Sequence, residues 1–300
     1  MHIKAVPGPT DSLTDVAGLK VGQAHDADAR TGVTVVVPDR PAAMGVDVRG
    51  GAPGTRETEA LDPTCLITHA HAVVLSGGSV LGLAAADGVT AALSHKGIGL
   101  AIAPQAVPVV PAAILFDLTN GGDKDWGMDP PYRQLGIDAV EALSYEVTQG
   151  RVGAGFGARA GGVQGGVGSA SYVTEDGMVV AALVAVNSFG SAGTEEAANV
   201  GAVNLPKVGL VGTNTTIAVV ATNLDLDKAA CRRLAIMAQD GLARSIKPVH
   251  TPYDGDTVFA LATGAQAISG DLPGTLAVAG TLAADCLVRA VEKAVNTAAG

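Results

Sequence analysis

The stretch Val211 to Asn223, VGTNTTIAVVATN, sets Thr213, Asn214, Thr215 and Thr216 directly before Ile217 to Ala221, five apolar residues that read as a buried strand. A threonine hydroxyl is a weak nucleophile until a base stands beside it. An N-terminal threonine carries such a base in its own α-amino group, which ordinarily titrates at about pH 8. An internal Thr215 has none. This chemistry therefore requires a break between Asn214 and Thr215, and the same hydroxyl can make it by attacking the preceding carbonyl, giving an ester that water hydrolyses. Gly209 and Gly212 permit the strained loop needed, and the strand from Thr216 onward would hold the new terminus rigidly. On local sequence alone the bland alternative is a threonine-rich strand start with no chemistry.

Other reactive patterns are sparse. G-x-S-x-G, H-E-x-x-H, P-loop and EF-hand motifs do not occur, so no cofactor and no metal is expected. His69 and His71 could share one side of a strand, but no third ligand of matching spacing accompanies them, and structural histidines are the better reading. Ser79 follows Gly77 and Gly78 and is read as the cap of a helix rather than as a nucleophile. Between Gly150 and Gly168 the run GRVGAGFGARAGGVQGGVG is too rich in glycine for an ordinary helix or strand and predicts a special loop. Gly155, Gly157 and Ala160 match G-x-G-x-x-A, with Glu175 twenty residues beyond Gly155. A dinucleotide fingerprint, however, needs an apolar strand before it and a helix after it, and SYEVTQ precedes it here. Close packing of loop backbone, forming one wall of a substrate pocket, fits better.

The elements around these residues alternate. Ala72 to Leu75 predicts a strand that runs through Ser76–Ser79 into a helix over Val80 to Leu93. Pro108 to Leu118 and Met178 to Val186 predict strands, the second buried on both faces. Asp225 or Asp227 can cap a helix with Ala230, Leu234, Met237, Ala238, Gly241 and Leu242 on one stripe. Thr257 to Ala262 predicts a strand opened by an Asp-Gly turn, and Thr275 to Ala298 a helix with Val288, Val291 and Val295 on one side. Helices should flank sheets in one large domain or two intimate ones.

With 300 residues, 48% of them apolar, the chain can bury a large core. A net charge of -10 without any dense Lys/Arg tract leaves no electrostatic footprint for nucleic acid or anionic membrane, and favours a small peptide or amide substrate. Pro7 and Pro9 interrupt what a signal peptide would need, so the mature chain is expected to start at Met1. Gly97 to Phe116 is uncharged for twenty residues, but Pro104, Pro108 and Pro111 argue against a membrane helix. Cys65, Cys231 and Cys286 show no metal or redox spacing, and reduced thiols in a cytoplasmic protein are the expectation.

GVDVRGGAPGTRE from Gly45, LSGGSVLGLAAADGV from Leu75, PAAILFDL from Pro111, the glycine-rich run from Gly150, VAVNSFG from Val184, TNTTIAVVATN from Thr213 and HTPYDGDTVFALAT from His250 together resemble the DmpA-type aminopeptidases in order and spacing. The threonine and Asp-Gly-Asp motifs look most like the branch containing the nylon-oligomer hydrolase NylC. The resemblance implies an α/β (α+β) fold, a four-layer αββα sandwich of the DmpA/ornithine acetyltransferase type. It further implies autocatalytic division into residues 1–214 and 215–300, and an assembly of four processed units. By position it makes Thr215 the nucleophile and Asn214 the residue left behind by processing. Asn187 becomes the donor to the tetrahedral oxyanion. Asp254 and Asp256 become the acidic pair that orients the ammonium and the hydroxyl. Gly77, Gly78, Ser79, Phe116 and Gln164 become substrate-binding positions, with the N–H groups of the Gly-Gly-Ser turn near the scissile carbonyl. The chain departs from the pattern in one respect: relatives carry lysine at or near Gln164 and Gly162, and Arg159 is the nearest cation left in that loop.

The resulting expectation is a self-processed N-terminal-threonine amidohydrolase, an aminopeptidase or amidase on short or unusual peptides or 6-aminohexanoate oligomers, working through an acyl-enzyme on Thr215. The alternatives are an acyltransferase on the same fold and an unprocessed binding protein without chemistry.

Overall fold

Alternate residues of the central strands face different surroundings, and this division builds the architecture. The structure, a computed structural model, describes residues 3–203 and 214–299; Gly209, Gly212 and Thr213 lie outside them. The first half of the chain forms β1 (Ala5–Val6), β2 (Leu19–Asp26), β3 (Thr31–Pro38), β4 (Ala43–Val48), β5 (Thr55–Arg56), β6 (Val73–Ser76), α1 (Ala84–His95), β7 (Ala112–Ile114) and α2 (Tyr132–Glu141). The second half forms β8 (Arg159–Ala160), β9 (Val163–Gln164), β10 (Gly166–Thr174), β11 (Val179–Asn187), β12 (Ser191–Ala192), α3 (Thr194–Ala198), β13 (Thr215–Leu224), α4 (Lys228–Ala243), β14 (Ile246–Lys247), β15 (Thr257–Gln266) and α5 (Leu272–Ala298).

Of the two large sheets, one has the order β1-β10-β11-β13-β15-β4 and the second β2-β3-β6-β7-β5, while β8–β9 and β12–β14 form two-stranded pairs. In β13, Ile217, Val219 and Ala221 face the second sheet, while Ala218 and Val220 face α4 and α5. In β11 the split is Ala181, Leu183 and Ala185 against Val180, Ala182, Val184 and Val186. A strand covered on both sides has no polar face, hence its nearly continuous small and β-branched sequence. The second sheet turns Val33, Val35 and Val74 toward Val89 and Leu93 of α1 and Leu135 and Val140 of α2. Three apolar cores between four layers make the αββα sandwich expected from the sequence.

The differences from expectation have local causes. Only Ala112–Ile114 of the proline-rich stretch is strand, because Pro108 and Pro111 lack the N–H a ladder needs. The helix expected from Val80 begins as a 3₁₀ turn, Ser79–Leu83, before α1. Ser79 is not its cap: Gly78 holds that position, and Ser79 has φ of 52°. Asp227 rather than Asp225 caps α4, accepting from the Ala230 N–H at 2.8 Å. Asp271 caps α5, whose proline in the first turn extends it ahead of Thr275. Ala279, Ala283, Cys286, Leu287, Ala290, Val291 and Ala294 form the buried stripe of α5; Val288 and Val295 lie at its half-buried margin.

The alanine stripe seats α5 close to the sheet, and glycine on the facing strand lets it do so. A Cβ at Gly168 would stand 1.9 Å from the Ala290 carbonyl oxygen. Gly168→Ala is therefore expected to destabilise the fold by about 1–3 kcal/mol through overpacking, read as a lower midpoint of urea unfolding. An unchanged midpoint would show that α5 is not pressed against β10.

Candidate active site

Strand direction gathers the candidate residues at one edge. β13 and β15 run parallel, with Ile217 opposite Thr257, so the loops entering both strands emerge side by side. β11 runs antiparallel to β13 and ends there, with Asn187 paired to Thr215. β4 is antiparallel to β15, which brings the segment Arg49–Pro53 to the same edge. In the second sheet the parallel strands β6 and β7 run out into Gly77–Ser79 and Phe116–Asp117. Thr215 has the parity of Ile217 and Val219, so its side chain enters the space between the two sheets. Thr216 takes the opposite parity, toward the helical layer, and its buried hydroxyl has no hydrogen-bond partner among the described residues.

Thr215 is 2% exposed. Its Oγ1 donates to the carbonyl oxygen of Asn214 and accepts the Gly255 N–H at 3.1 Å. The acceptor bond favours negative charge on the hydroxyl oxygen, since an N–H aimed at it would stabilise an alkoxide. The donor bond holds the hydroxyl against the peptide unit it would have to attack. Asn214 forms a parallel bridge with Asp254, fixing the two loops together.

Asn187 joins the two sheets. Its Nδ2 donates to the Phe116 carbonyl at 2.9 Å, and its Oδ1 accepts the Arg159 N–H at 2.8 Å. One Nδ2 hydrogen is thus held by Phe116 and orients the other. The hairpin β8–β9 turns at Gly161 and Gly162, with φ of 62° and 150°, a geometry that disfavours any side chain. Gln164 Nε2 donates to Ala158 O at 2.7 Å and Gly165 O at 3.1 Å, so its donors brace this loop and do not face a substrate. Arg159 is exposed and its guanidinium has no ion-pair partner among the described residues. The strand–turn–helix of a dinucleotide fingerprint is not formed, since Gly153–Gly155 is a 3₁₀ turn followed by the hairpin. The glycines there serve close approach: a Cβ at Gly157 would meet Arg30 O at 1.9 Å, and one at Gly165 would meet Val186 O at 2.1 Å.

The Gly-Gly-Ser turn also departs from expectation. Its N–H groups are committed inside the fold: Gly77 N–H to Gly32 O at 2.9 Å, Gly78 N–H to Asp117 Oδ1 at 2.8 Å, and Ser79 N–H to Leu115 O at 2.9 Å. None of the three is left to meet a scissile carbonyl, although the turn borders the same edge. His69 and His71 lie outside any strand; His71 is buried and its Nδ1 accepts the Val109 N–H at 3.1 Å, a structural use.

Asp254 and Asp256 are each 1% exposed. Asp254 accepts from the Phe189 N–H at 3.1 Å, the Thr251 N–H at 3.0 Å and the Thr251 hydroxyl at 2.6 Å. Asp256 accepts from the Thr216 N–H at 2.7 Å, the His250 N–H at 3.0 Å and His250 Nδ1 at 2.9 Å. Neither carboxylate bonds the Thr215 hydroxyl; each fixes backbone on either side of it. Burial pushes the Asp254 carboxyl above the usual range, and the neighbouring Asp256 charge adds to the rise, against the lowering effect of the Thr251 and Phe189 bonds. Arg49 and Gly50 N–H donate to Asp256 O, and Ala52 N–H to Asp254 O at 2.8 Å, so RGGAP straps the Asp-Gly-Asp loop. Sequence reasoning overlooked the Gly255 N–H and His250. The first is backbone and carries no side-chain signal; the second was legible only as the head of HTPYDGDT, six residues before Asp256.

A buried threonine opening a strand, a carboxamide across from it and a pair of loop carboxylates inside an αββα sandwich define an amide-hydrolase architecture. The chain belongs to peptidase family S58, whose family model matches residues 11–300. An uncharacterized aminopeptidase of Mycobacterium tuberculosis is 43% identical, over 94% of this chain and 92% of its own length. A 6-aminohexanoate-oligomer endohydrolase of Kocuria sp. is 31% identical, over 83% of this chain and 74% of its own. Among solved structures, a beta-aminopeptidase of Burkholderia sp. superposes with a TM-score of 0.73 at 24% identity, over 97% of this chain and 88% of that one. The L-aminopeptidase D-Ala-esterase/amidase of Ochrobactrum anthropi, described as a variant of the Ntn hydrolase fold, gives 0.71 at 21%, over 98% and 88%. The protein is a hydrolase of peptide or amide bonds with that fold.

Because Asp254 holds its proton more tightly when folded, its carboxyl contributes stability in full below the ordinary aspartate pKa of about 4 and loses that contribution as pH rises through its higher native value. Asp254→Asn removes this titration while disturbing the bonds to Thr251 at every pH. The melting temperature of the variant relative to wild type is expected to rise with pH from about 4 to 8. A difference that stays flat or falls across that window would contradict the assigned shift.

Proposed function

We propose that this chain is a self-processing N-terminal-threonine amidohydrolase acting on short peptides or amide oligomers that carry a free amine. The observation that carries the reading is the setting of Thr215: buried at the head of β13, its hydroxyl on the Asn214 carbonyl and under the Gly255 N–H, with Asn187 beside it in register.

In the first reaction Oγ1 attacks the Asn214 carbonyl carbon, the C–N bond breaks, and the nitrogen leaves as the Thr215 α-amine after taking a proton. Water hydrolyses the resulting ester, leaving a carboxylate on Asn214. In the second, the new amine takes the Oγ1 proton as the oxygen attacks a substrate amide. The free Nδ2 hydrogen of Asn187 stabilises the tetrahedral oxyanion. Collapse releases the substrate amine and leaves an acyl ester on Thr215, which water cleaves. Asp254 and Asp256 keep the flanking backbone in place and supply negative charge near the new ammonium. The names of the relatives, aminopeptidase and 6-aminohexanoate-oligomer endohydrolase, support this substrate class.

With no lysine at Gln164 or Gly162, the base must come from the terminus itself, so cleavage is the decisive step. Purified protein, aged and resolved by denaturing electrophoresis and mass spectrometry, is expected to contain a chain beginning at Thr215. Thr215→Ala should remain intact and lose at least about 10³-fold in hydrolysis of alanine p-nitroanilide or 6-aminohexanoate dimer. Turnover by a wholly uncut wild-type chain would refute the mechanism, and a persistently intact, inactive chain would favour the binding-protein alternative.

A further inference from the structure

The turn beneath Gly77 and Gly78 covers a buried polar cluster that the reaction as written does not use. Asp117 is 3% exposed. Its Oδ1 accepts the Gly78 N–H at 2.8 Å, while its Oδ2, the Thr31 hydroxyl and the Tyr132 hydroxyl are buried with no well-formed hydrogen bond among the described residues. These three oxygens lie against the same two glycines. A Cβ at Gly77 would stand 2.3 Å from both Asp117 Oδ2 and Thr31 Oγ1, and one at Gly78 would stand 2.4 Å from the Tyr132 hydroxyl. Gly157 approaches from the other side, where a Cβ would lie 2.9 Å from Asp117 Oδ2.

Burying a carboxylate with one backbone donor and only the adjacent Thr31 hydroxyl beside its second oxygen is costly. Asp117 lies within a connected set of backbone atoms around Asn187. Directly before it in the chain is Phe116, whose carbonyl takes the Asn187 Nδ2. Three residues after it, Asn120 Nδ2 donates to Gly157 O at 3.1 Å, and also to Arg30 O. Two residues beyond Gly157, the Arg159 N–H donates to Asn187 Oδ1. Both ends of the Asn187 carboxamide are thus set by segments that meet at Asp117. Removing the Oδ1 acceptor would free the Gly78 N–H, let the strained Ser79 relax and allow the Phe116 carbonyl to shift.

We infer that Asp117 is a positioning residue for the oxyanion-binding Asn187, acting through the Phe116 carbonyl and the Gly77–Ser79 turn. The inference rests on the proposed function, in which Asn187 works in the transition state and not in the ground state. Loss of its alignment must therefore appear in kcat and leave KM nearly unchanged. Burial raises the Asp117 carboxyl above its ordinary range, against the lowering effect of the nearby Thr31 hydroxyl and the Gly78 N–H, which suits a group used as an acceptor and packing element rather than as a charge.

The test compares wild type, Asp117→Ala and Asp117→Asn as full chains, with Thr215→Ala as the reference for the functional reading. Two readouts are the rate of cleavage at 214–215 after cell-free synthesis and the kinetics on alanine p-nitroanilide. Asp117→Ala is expected to slow both cleavage and kcat by about 10–100-fold, with KM within about threefold of wild type. Asp117→Asn keeps an oxygen for the Gly78 N–H and should recover most of that loss. Retention of kcat by the alanine variant, a loss confined to KM, or an asparagine variant no better than alanine would each overturn the assignment. If the alanine chain does not fold, Asp117→Ser, whose hydroxyl is too short to reach Gly78, is judged by the same criteria. Hydrolysis by Thr215→Ala would instead mean that the functional reading itself is wrong, whatever the Asp117 variants do.

Discussion

β13 and β15 lie side by side and run the same way. From that pairing comes nearly everything at the site edge, because two parallel neighbours deliver their entry loops to one place. The entry to β13 carries Asn214 and Thr215; the entry to β15 carries Asp254, Gly255 and Asp256. An antiparallel neighbour would have sent the Asp-Gly-Asp loop to the far end of the sheet. The connection runs through α4, whose Ala230, Leu234, Ala238 and Leu242 pack on the helical face. Antiparallel β11 and β4 then add the outgoing ends, Asn187 and RGGAP, to the same edge.

Burying two carboxylates within one loop is expensive unless each lone pair is met. Donors from Phe189, Thr251, Thr216 and His250 meet them here, and all but the Thr251 hydroxyl and the His250 ring are backbone N–H groups. That choice matters for the geometry around Thr215. Carboxylates anchored to backbone pin both the first peptide of β13 and the turn that supplies the Gly255 N–H. Rigidity around Thr215 is thus electrostatic on one side and supplied by the apolar interior of the sandwich on the other.

Much of the fold could be read from the chain. The continuous apolar run of β11 announced a strand covered on both faces and that of β13 a buried strand, and Asp227 was one of the two caps offered for α4. Prolines shortened β7 in a way that residue counting missed, and the start of α5 was hidden because its first turn contains proline and glycine. The αββα layering came from the family resemblance, since periodicity alone gives helices flanking sheets and not their number of layers. At the site, Thr215 stood out in the local sequence, Asn187, Asp254 and Asp256 came from the family resemblance, and the backbone donors were not legible. Thr215, Asn187, Asp254 and Asp256 do come together at one edge. The Gly-Gly-Ser turn was credited with N–H donors near a scissile carbonyl that the fold has already engaged, and the Gln164 amide donors are spent on Ala158 and Gly165. Asp117 escaped notice because an acidic residue after a strand reads as a solvated loop position until its burial is seen.

β13 sits in the interior of its sheet, hydrogen-bonded to β11 on one flank and to β15 on the other. Severing the backbone just ahead of it would therefore divide the polypeptide without dividing the body. The C-terminal fragment would contribute two adjacent central strands and both covering helices, clasped between β11 and β4 of the remainder. Neither fragment could leave without exposing two rows of unpaired strand backbone and an entire apolar face. The pieces would persist as an interlocked pair whose union outlasts the covalent bond that first joined them.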